Sequence, residues 1–309
     1  MAPADLLPKT WAKAAPPAAV RGAWRGVQQQ TFETRSGLTL VGDVSGGGER
    51  GVVLFAHGGG QTRHSWGAAA RRLGELGWRA ITLDLRGHGD SGWDPDGDYQ
   101  VMRYAEDLLD VTATLGTKPA MIGASLGGIA GLMAEAAVQP GSFRSLTLVD
   151  IVPRSNPEGS AKILGFMGEK VEEGFDSLEA AADAIAAYLP HRPRPKDLSG
   201  LAKNLRQGAD GRYRWHWDPK FITGVRGGAR EGASEGEFEA RCREIAIPVH
   251  LIRGRMSELV SLDAAQAFVA TLRDGHFTDV ADAGHMVAGD RNDIFLEAVV
   301  SFLEGPGAA

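Results

Sequence analysis

Short, continuously apolar runs alternate with stretches of helical character in two parts of the chain, and this alternation limits the fold more than any other property. Val52-Val53-Leu54-Phe55-Ala56 is followed by a helical stretch over 65–76 and then by Ala80-Ile81-Thr82-Leu83. A second helical stretch, 102–115, precedes Ala120-Met121-Ile122, and a third, 126–138, precedes Leu146-Thr147-Leu148-Val149. A strand without polar alternation has both faces covered, and helices between such strands supply the crossovers that parallel pairing requires. The expected fold is therefore α/β, a mostly parallel sheet flanked by helices. Ahead of it, residues 29–34 and 38–44 read as a strand hairpin closed by Gly46-Gly47-Gly48.

The alternation stops at Pro153 and resumes with Val249-His250-Leu251-Ile252, a helix over 263–272, a short strand Thr278-Asp279-Val280 and a closing helix over 294–303. Inside the gap Leu178, Ala181, Ala182, Ile185, Ala186 and Leu189 recur at helical spacing until the prolines of 190–195 break the pattern. The expected organisation is an Ala/Pro-rich N-terminal arm (1–26), a first core segment (27–152), a helical cap (153–240) and a second core segment (241–309). A Gly/Arg/Glu-rich stretch over 224–236 reads as a mobile loop within or after the cap.

Composition narrows the function classes. The 309 residues are 43% apolar and 23% charged with a net charge of −6, which fits a globular chain and provides no basic footprint for nucleic acid. A single cysteine, Cys242, excludes an intrachain disulfide and a thiolate metal cluster. Residues 1–30 lack an uninterrupted apolar signal core, and no run approaches the roughly 18 apolar residues of a membrane span. A cytoplasmic location is expected. His-Glu-x-x-His, His-x-His-x-Asp and paired-Cys patterns are absent, as are a phosphate-binding Gly-x-x-x-x-Gly-Lys-Ser/Thr loop and a dinucleotide fingerprint, so no cofactor and no metal is expected.

The residue that points to chemistry is Ser125 in Gly123-Ala124-Ser125-Leu126-Gly127, directly after Ala120-Met121-Ile122. A strand that turns sharply into a helix needs small residues two places either side of the turn, and the turn lifts the hydroxyl clear of the backbone. In a chain with 42 glycines the pattern alone is weak, so its partners decide. A serine nucleophile needs a base, and the base needs an orienting group. Among eight histidines, His285 lies between the last strand and the last helix, where a loop can carry it over the sheet's C-terminal edge. His57 ends a strand and opens His57-Gly58-Gly59-Gly60, where glycines let N–H groups face a ligand; its ring reads as structural. His88, within 84–92, reads as part of a buried turn supported by Arg86 and Asp84.

These residues, in this order, resemble the α/β-hydrolase superfamily over about 29–152 and 245–304: the His57 to Gly60 loop, the 84–92 loop, the Gly-x-Ser-x-Gly elbow, an acid after a late strand, and Gly284-His285. The resemblance implies Ser125 as nucleophile, His285 as base, and the N–H groups of Gly59 and Leu126 as oxyanion donors. For the acid it offers two positions. Glu258, in the loop after Val249-His250-Leu251-Ile252, is the favoured one and stands where many relatives carry Asp; Asp150, at the end of Leu148-Val149, is the rival. A serine at the elbow argues against the haloalkane dehalogenases and epoxide hydrolases of this superfamily, which place Asp there.

The expected activity is hydrolysis of small to medium apolar carboxylic esters or lactones, with a small-molecule substrate and neither nucleic acid nor membrane as a partner. Trp215 and Trp217 in the cap are candidates for the pocket wall, and Arg63 and Trp66, after the glycine loop, for its mouth, where Arg63 would attract a substrate carboxylate. The alternatives are a cofactor-free perhydrolase or haloperoxidase-like enzyme using the same serine, and a non-catalytic small-ligand receptor on the same fold.

Overall fold

The computed structural model describes residues 26–190, 194–223 and 235–305; the expected arm and most of the expected 224–236 loop lie outside them. The first core segment runs β1 (Val27–Glu33), β2 (Thr39–Ser45), β3 (Val52–Ala56), α1 (Gly67–Glu75), β4 (Arg79–Leu83), α2 (Val101–Thr114), β5 (Ala120–Ala124), α3 (Leu126–Met133) and β6 (Ser145–Val149). The helix expected over 65–76 starts later, after a tighter turn at Arg63–Trp66, and α3 ends in a wider turn at Ala134–Val138.

Between β6 and the next sheet strand the chain makes α4 (Pro157–Gly168), α5 (Leu178–Tyr188), α6 (Ser199–Ala202), a hairpin of β7 (Leu205–Gln207) and β8 (Tyr213–Trp215), α7 (Lys220–Thr223) and α8 (Glu235–Cys242). Among its described residues the insertion carries these five helices, and the small hairpin is an unforeseen addition. Its two longest helices, α4 and α5, begin where side chains replace missing intrahelical acceptors: Asn156 accepts from the Glu158 N–H at 3.1 Å ahead of Pro157, and Ser177 from the Ala180 N–H at 3.1 Å. The core resumes with β9 (Val249–Gly254), α9 (Leu262–Thr271), β10 (Gly275–Val280), α10 (Val287–Asp290) and α11 (Asn292–Glu304).

Among the described residues eight strands form one sheet in the order β1-β2-β4-β3-β5-β6-β9-β10. β1 and β2 pair antiparallel, β2 joins β4 antiparallel, and the rest are parallel. The period of two decides which side each residue serves. Val53 and Phe55 of β3 pack with Ala69, Leu73, Phe295 and Val299 under α1 and α11, whereas Leu54 and Ala56 pack with Leu108, Ala130 and Leu132 under α2 and α3. Both faces are filled, so β3 reads VVLFA with no polar position. The insertion joins the second layer through Ala181, Trp215 and Phe221.

The topology also fixes where a ligand can sit. After β3 the chain moves to β4 on one side, and after α2 it returns to β5 on the other side of β3. Loops leaving β3 and β5 at their C-terminal ends therefore diverge and open a crevice, the usual ligand position in an open α/β sheet. No helix among the described residues is long and apolar enough to cross a membrane.

Candidate active site

Ser125 stands at the end of β5 with φ 44° and ψ −110°, a backbone conformation rare for a residue with a side chain. The surrounding glycines make it possible. A Cβ on Gly123 would come within 2.5 Å of the Gly127 backbone, and one on Gly127 within 2.4 Å of the Ala56 carbonyl oxygen. The turn is then pinned from both neighbouring strands, by the Ser125 N–H donating to the Val149 carbonyl at 3.2 Å and the Gly127 N–H donating to the His57 carbonyl at 3.1 Å. The hydroxyl-bearing residue lines a cavity of about 730 Å³.

His285, in the loop between β10 and α10, lines the same cavity. Its Nδ1–H donates to Asp150 Oδ2 at 2.7 Å. Asp150 directly follows β6, is fully buried, and also holds a left-handed backbone, φ 51°. Its carboxylate accepts from the Gly254 N–H at 3.1 Å and from the Ser257 hydroxyl at 2.5 Å. Three donors on one buried carboxylate offset the cost of taking its charge out of water, and they leave the His285 ring oriented by its Nδ1 side.

The loop after β3 is held from below by histidine rings. His57, fully buried, donates from Nδ1 to the Gly58 carbonyl at 2.8 Å and accepts at Nε2 from the Leu85 N–H at 3.0 Å. Burial pushes its pKa down to about 4, which matches a ring that must keep one nitrogen unprotonated. His88 Nε2 accepts from the Gly60 N–H at 3.1 Å, and Gln61 Oε1 accepts from the Gly58 N–H at 3.0 Å. Between these two occupied amides, the Gly59 N–H has no acceptor among the described residues. Leu126, the first residue of α3, likewise has no helical acceptor for its N–H.

The rest of the cavity wall is mainly apolar, with polar positions that include Gln100, Asn204 and Asp290. Ile129, Ile151 and Leu259 come from the core, and Phe166, Met167 and Trp217 from the insertion. Trp215 and Trp217 stack at 4.8 Å between ring centroids, and Phe166 stacks on Tyr188 at 4.1 Å. None of the lining residues, all of them described, is a lysine or arginine.

The fold agrees with what related proteins show. The family model for the α/β hydrolase fold matches residues 51–291. The chain belongs to the α/β-hydrolase family. Esterase Rv0045c of Mycobacterium tuberculosis is 30% identical over 267 residues, covering 84% of each chain. A 3-hydroxybutyrate-oligomer hydrolase of Cupriavidus necator is 29% identical over 250 residues, 76% of this chain and 82% of its own. Among solved structures, an α/β hydrolase from Novosphingobium aromaticivorans superposes with a TM-score of 0.76 at 25% identity, covering 90% of this chain and 98% of that one.

Two expectations for this α/β hydrolase need correction. Glu258 does not meet His285: its carboxylate is 57% exposed and accepts from Lys162 Nζ at 2.7 and 2.8 Å, on the α4 side of the molecule. The loop after β9 turns Ser257 inward onto Asp150, which sends the next side chain outward. Arg63 does not line the mouth. Its backbone N–H donates to Asp84 Oδ1 at 2.7 Å, and its buried guanidinium pairs with Asp84, Asp43 at 3.1 Å and Asp90 at 2.9 Å. Those three carboxylates raise its pKa further against the opposing effect of burial. Trp66, Trp215 and Trp217 do line the cavity, Trp66 wedged between Phe55 and Phe295. Sequence reasoning missed Ser257 and His216; Ser257 stood next to the glutamate that drew attention, and His216 between the two tryptophans. Among the described residues no group of three or more His, Cys, Asp and Glu side chains is placed to hold a metal ion.

Proposed function

We propose that the protein is a serine carboxylic-ester hydrolase that cleaves small to medium apolar esters or lactones through an acyl-enzyme. The observation that carries this reading is the strained Ser125 facing the same cavity as a histidine whose Nδ1–H is held 2.7 Å from a buried aspartate. Ser125 Oγ attacks the carbonyl carbon as His285 Nε2 takes its proton. Asp150 keeps the ring in the tautomer that leaves Nε2 free and stabilises the imidazolium that forms. The Gly59 and Leu126 N–H groups receive the oxyanion; both are oriented before substrate arrives, so no reorganisation is needed as charge develops. The N-terminal end of α3 adds its positive dipole at the same place. His285 then returns the proton to the leaving alcohol, and water activated by the same ring releases the acid.

Residues 153–240 act as a cap that supplies apolar walls. A substrate carboxylate entering this cavity would lose its water without gaining a cationic partner among the described residues, since Arg63 is committed to Asp84, Asp43 and Asp90. Neutral esters are therefore the preferred class. Replacing Ser125 with Ala is expected to lower kcat on a p-nitrophenyl ester by about 10³-fold or more with the melting temperature retained, and a fluorophosphonate is expected to label Ser125 in the folded wild type. Undiminished hydrolysis by S125A, or no labelling of Ser125, would overturn the reading.

A further inference from the structure

His216 follows β8 in the insertion, yet both of its ring nitrogens bond to core loops. Nδ1 accepts from the Gly89 N–H at 2.7 Å, and Nε2 faces the Gly60 carbonyl at 3.3 Å. Because Nδ1 accepts, the proton is on Nε2, and the ring donates to Gly60. The residue is 1% exposed. Its ring sits against His88 and Trp217, at centroid separations of 5.8 and 5.3 Å.

Gly60 closes the loop that carries the Gly59 N–H. Three successive peptide planes of this loop are each held by one imidazole: Gly58–Gly59 through the Gly58 carbonyl on His57, Gly59–Gly60 through the Gly60 N–H on His88, and Gly60–Gln61 through the Gly60 carbonyl on His216. In a trans peptide the carbonyl and the following N–H point in opposite directions. Drawing the Gly58 carbonyl toward His57 therefore turns the Gly59 N–H away from it. His57 and His88 belong to the core, so only the third plane depends on where the insertion sits. The insertion also presses on this glycine directly: a Cβ on Gly60, whose φ is 76°, would fall 2.8 Å from Met167 Cε and 3.1 Å from Trp217 Cζ3. Parallel ties bind the same stretch to the second core loop, with the Asp218 N–H donating to the Gly87 carbonyl at 2.8 Å and the Tyr99 hydroxyl to Asp218 Oδ2 at 2.6 Å.

We propose that His216 is a positioning residue through which the insertion steadies the glycine loop that carries the Gly59 oxyanion donor, adding to the hold that His57 and His88 of the core give it. The proposal rests on the serine-hydrolase reading above. It predicts that His216 matters where negative charge develops on the substrate oxygen and not where neutral substrate binds.

The test compares His216→Phe, which retains a ring against Trp217 and His88, with His216→Gln, whose amide can accept from Gly89 and donate to Gly60. Rates are taken per active site titrated with fluorophosphonate. Binding is read with an alkyl trifluoromethyl ketone, which adds to the serine as an oxyanion, and with the matching methyl ketone, which does not. H216F is expected to lower kcat about 10- to 100-fold, the scale of a donor misplaced by about 1 Å, and to weaken the trifluoromethyl ketone by a similar factor. Methyl ketone affinity and KM are expected to stay within about 2-fold, and H216Q to recover most of the loss. A fall in melting temperature with both ketones unaffected, or an equal weakening of both, overturns the proposal. Should H216F fail to fold, ¹⁵N-histidine NMR of the wild type decides: an Nδ1–H tautomer or an imidazolium at His216 overturns it, and the Nε2–H tautomer supports it. Wild-type protein that neither hydrolyses esters nor forms the ketone adduct at Ser125 removes the serine-hydrolase reading itself, a failure distinct from a wild type that is active and an H216F variant that matches it.

Discussion

The cavity has two halves built by different means. On the sheet side, loops at the ends of β3, β5, β6, β9 and β10 place each reactive group by backbone conformation and short hydrogen bonds, and three non-glycine residues, Ser125, Asp150 and Asp282, hold positive φ values of 44°, 51° and 56°. On the insertion side, Phe166, Tyr188, Trp215 and Trp217 line the space by stacking and burial. Hydrogen bonds fix a direction to within tens of degrees, whereas apolar contact fixes only volume and shape. The first half therefore suits bond-making at one carbon, and the second suits choosing which chains fit.

The comparison breaks first, and by the widest margin, at the acid. Asp150→Asn preserves shape but replaces an acceptor with a group that no longer holds the imidazolium, and a loss of about 10³- to 10⁴-fold in kcat is expected for every ester regardless of chain length. Glu258→Gln, on the exposed Lys162 pair, is expected to stay within about 2-fold, the scale of a surface ion pair. Steady-state rates of the two variants side by side decide it; a severe loss in E258Q with a mild one in D150N would restore the glutamate.

That contrast also marks how far the sequence could be read. The alternation of apolar runs with helices gave the sheet and its helical layers, because covered parallel strands leave a pattern in composition alone. Ser125 and His285 were legible because a strand-to-helix turn demands glycines at fixed spacing and because a late loop must deliver the histidine. The acid was not, since Asp150 and Glu258 both follow the C-terminal ends of neighbouring strands, β6 and β9, and the deciding feature is the inward turn of Ser257 onto Asp150, a contact across 107 positions. Arg63 misled for a similar reason: a charged residue beside the glycine loop looks available until Asp43 of β2 and Asp84 and Asp90 of the 84–92 loop converge on it. His216 carried no local signal at all, because its partners Gly60 and Gly89 lie more than a hundred residues away.

Both halves rely on imidazoles kept neutral, which links the site to stability against acid. Burial lowers the His57 pKa to about 4 and holds His216 well below its ordinary range, with the neighbouring His88 and His57 adding to the effect. His250, on β9 and away from the cavity, is likewise brought to about 4 by burial. In each case the unfolded chain takes up a proton near pH 6.5 while the folded one does not. Stability is therefore full above pH 6.5 and declines as pH falls toward 4, by about 3 kcal/mol for each of His57 and His250. Urea midpoints measured between pH 7 and pH 4 are expected to show this slope, and His57→Gln to flatten it by about one proton. A slope unchanged in that variant would mean that His57 is not a neutral support of the glycine loop.

The smallest effect tests the insertion side alone. Phe166 stacks on Tyr188 in the cavity wall and touches neither the glycine loop nor the His285–Asp150 pair through any hydrogen bond. Each methylene of an acyl chain moved from water onto such a wall gains about 0.8 kcal/mol, roughly a fourfold step in kcat/KM. Phe166→Ala is expected to lower kcat/KM for an octanoate ester by about 10-fold while leaving the acetate within about 2-fold, because the short chain leaves this wall uncovered. A p-nitrophenyl ester series from two to eight carbons reads it directly. If F166A instead lowers all chain lengths by one common factor, the aromatic wall is acting on the bond-making step, and the division between a half that reacts and a half that selects does not hold.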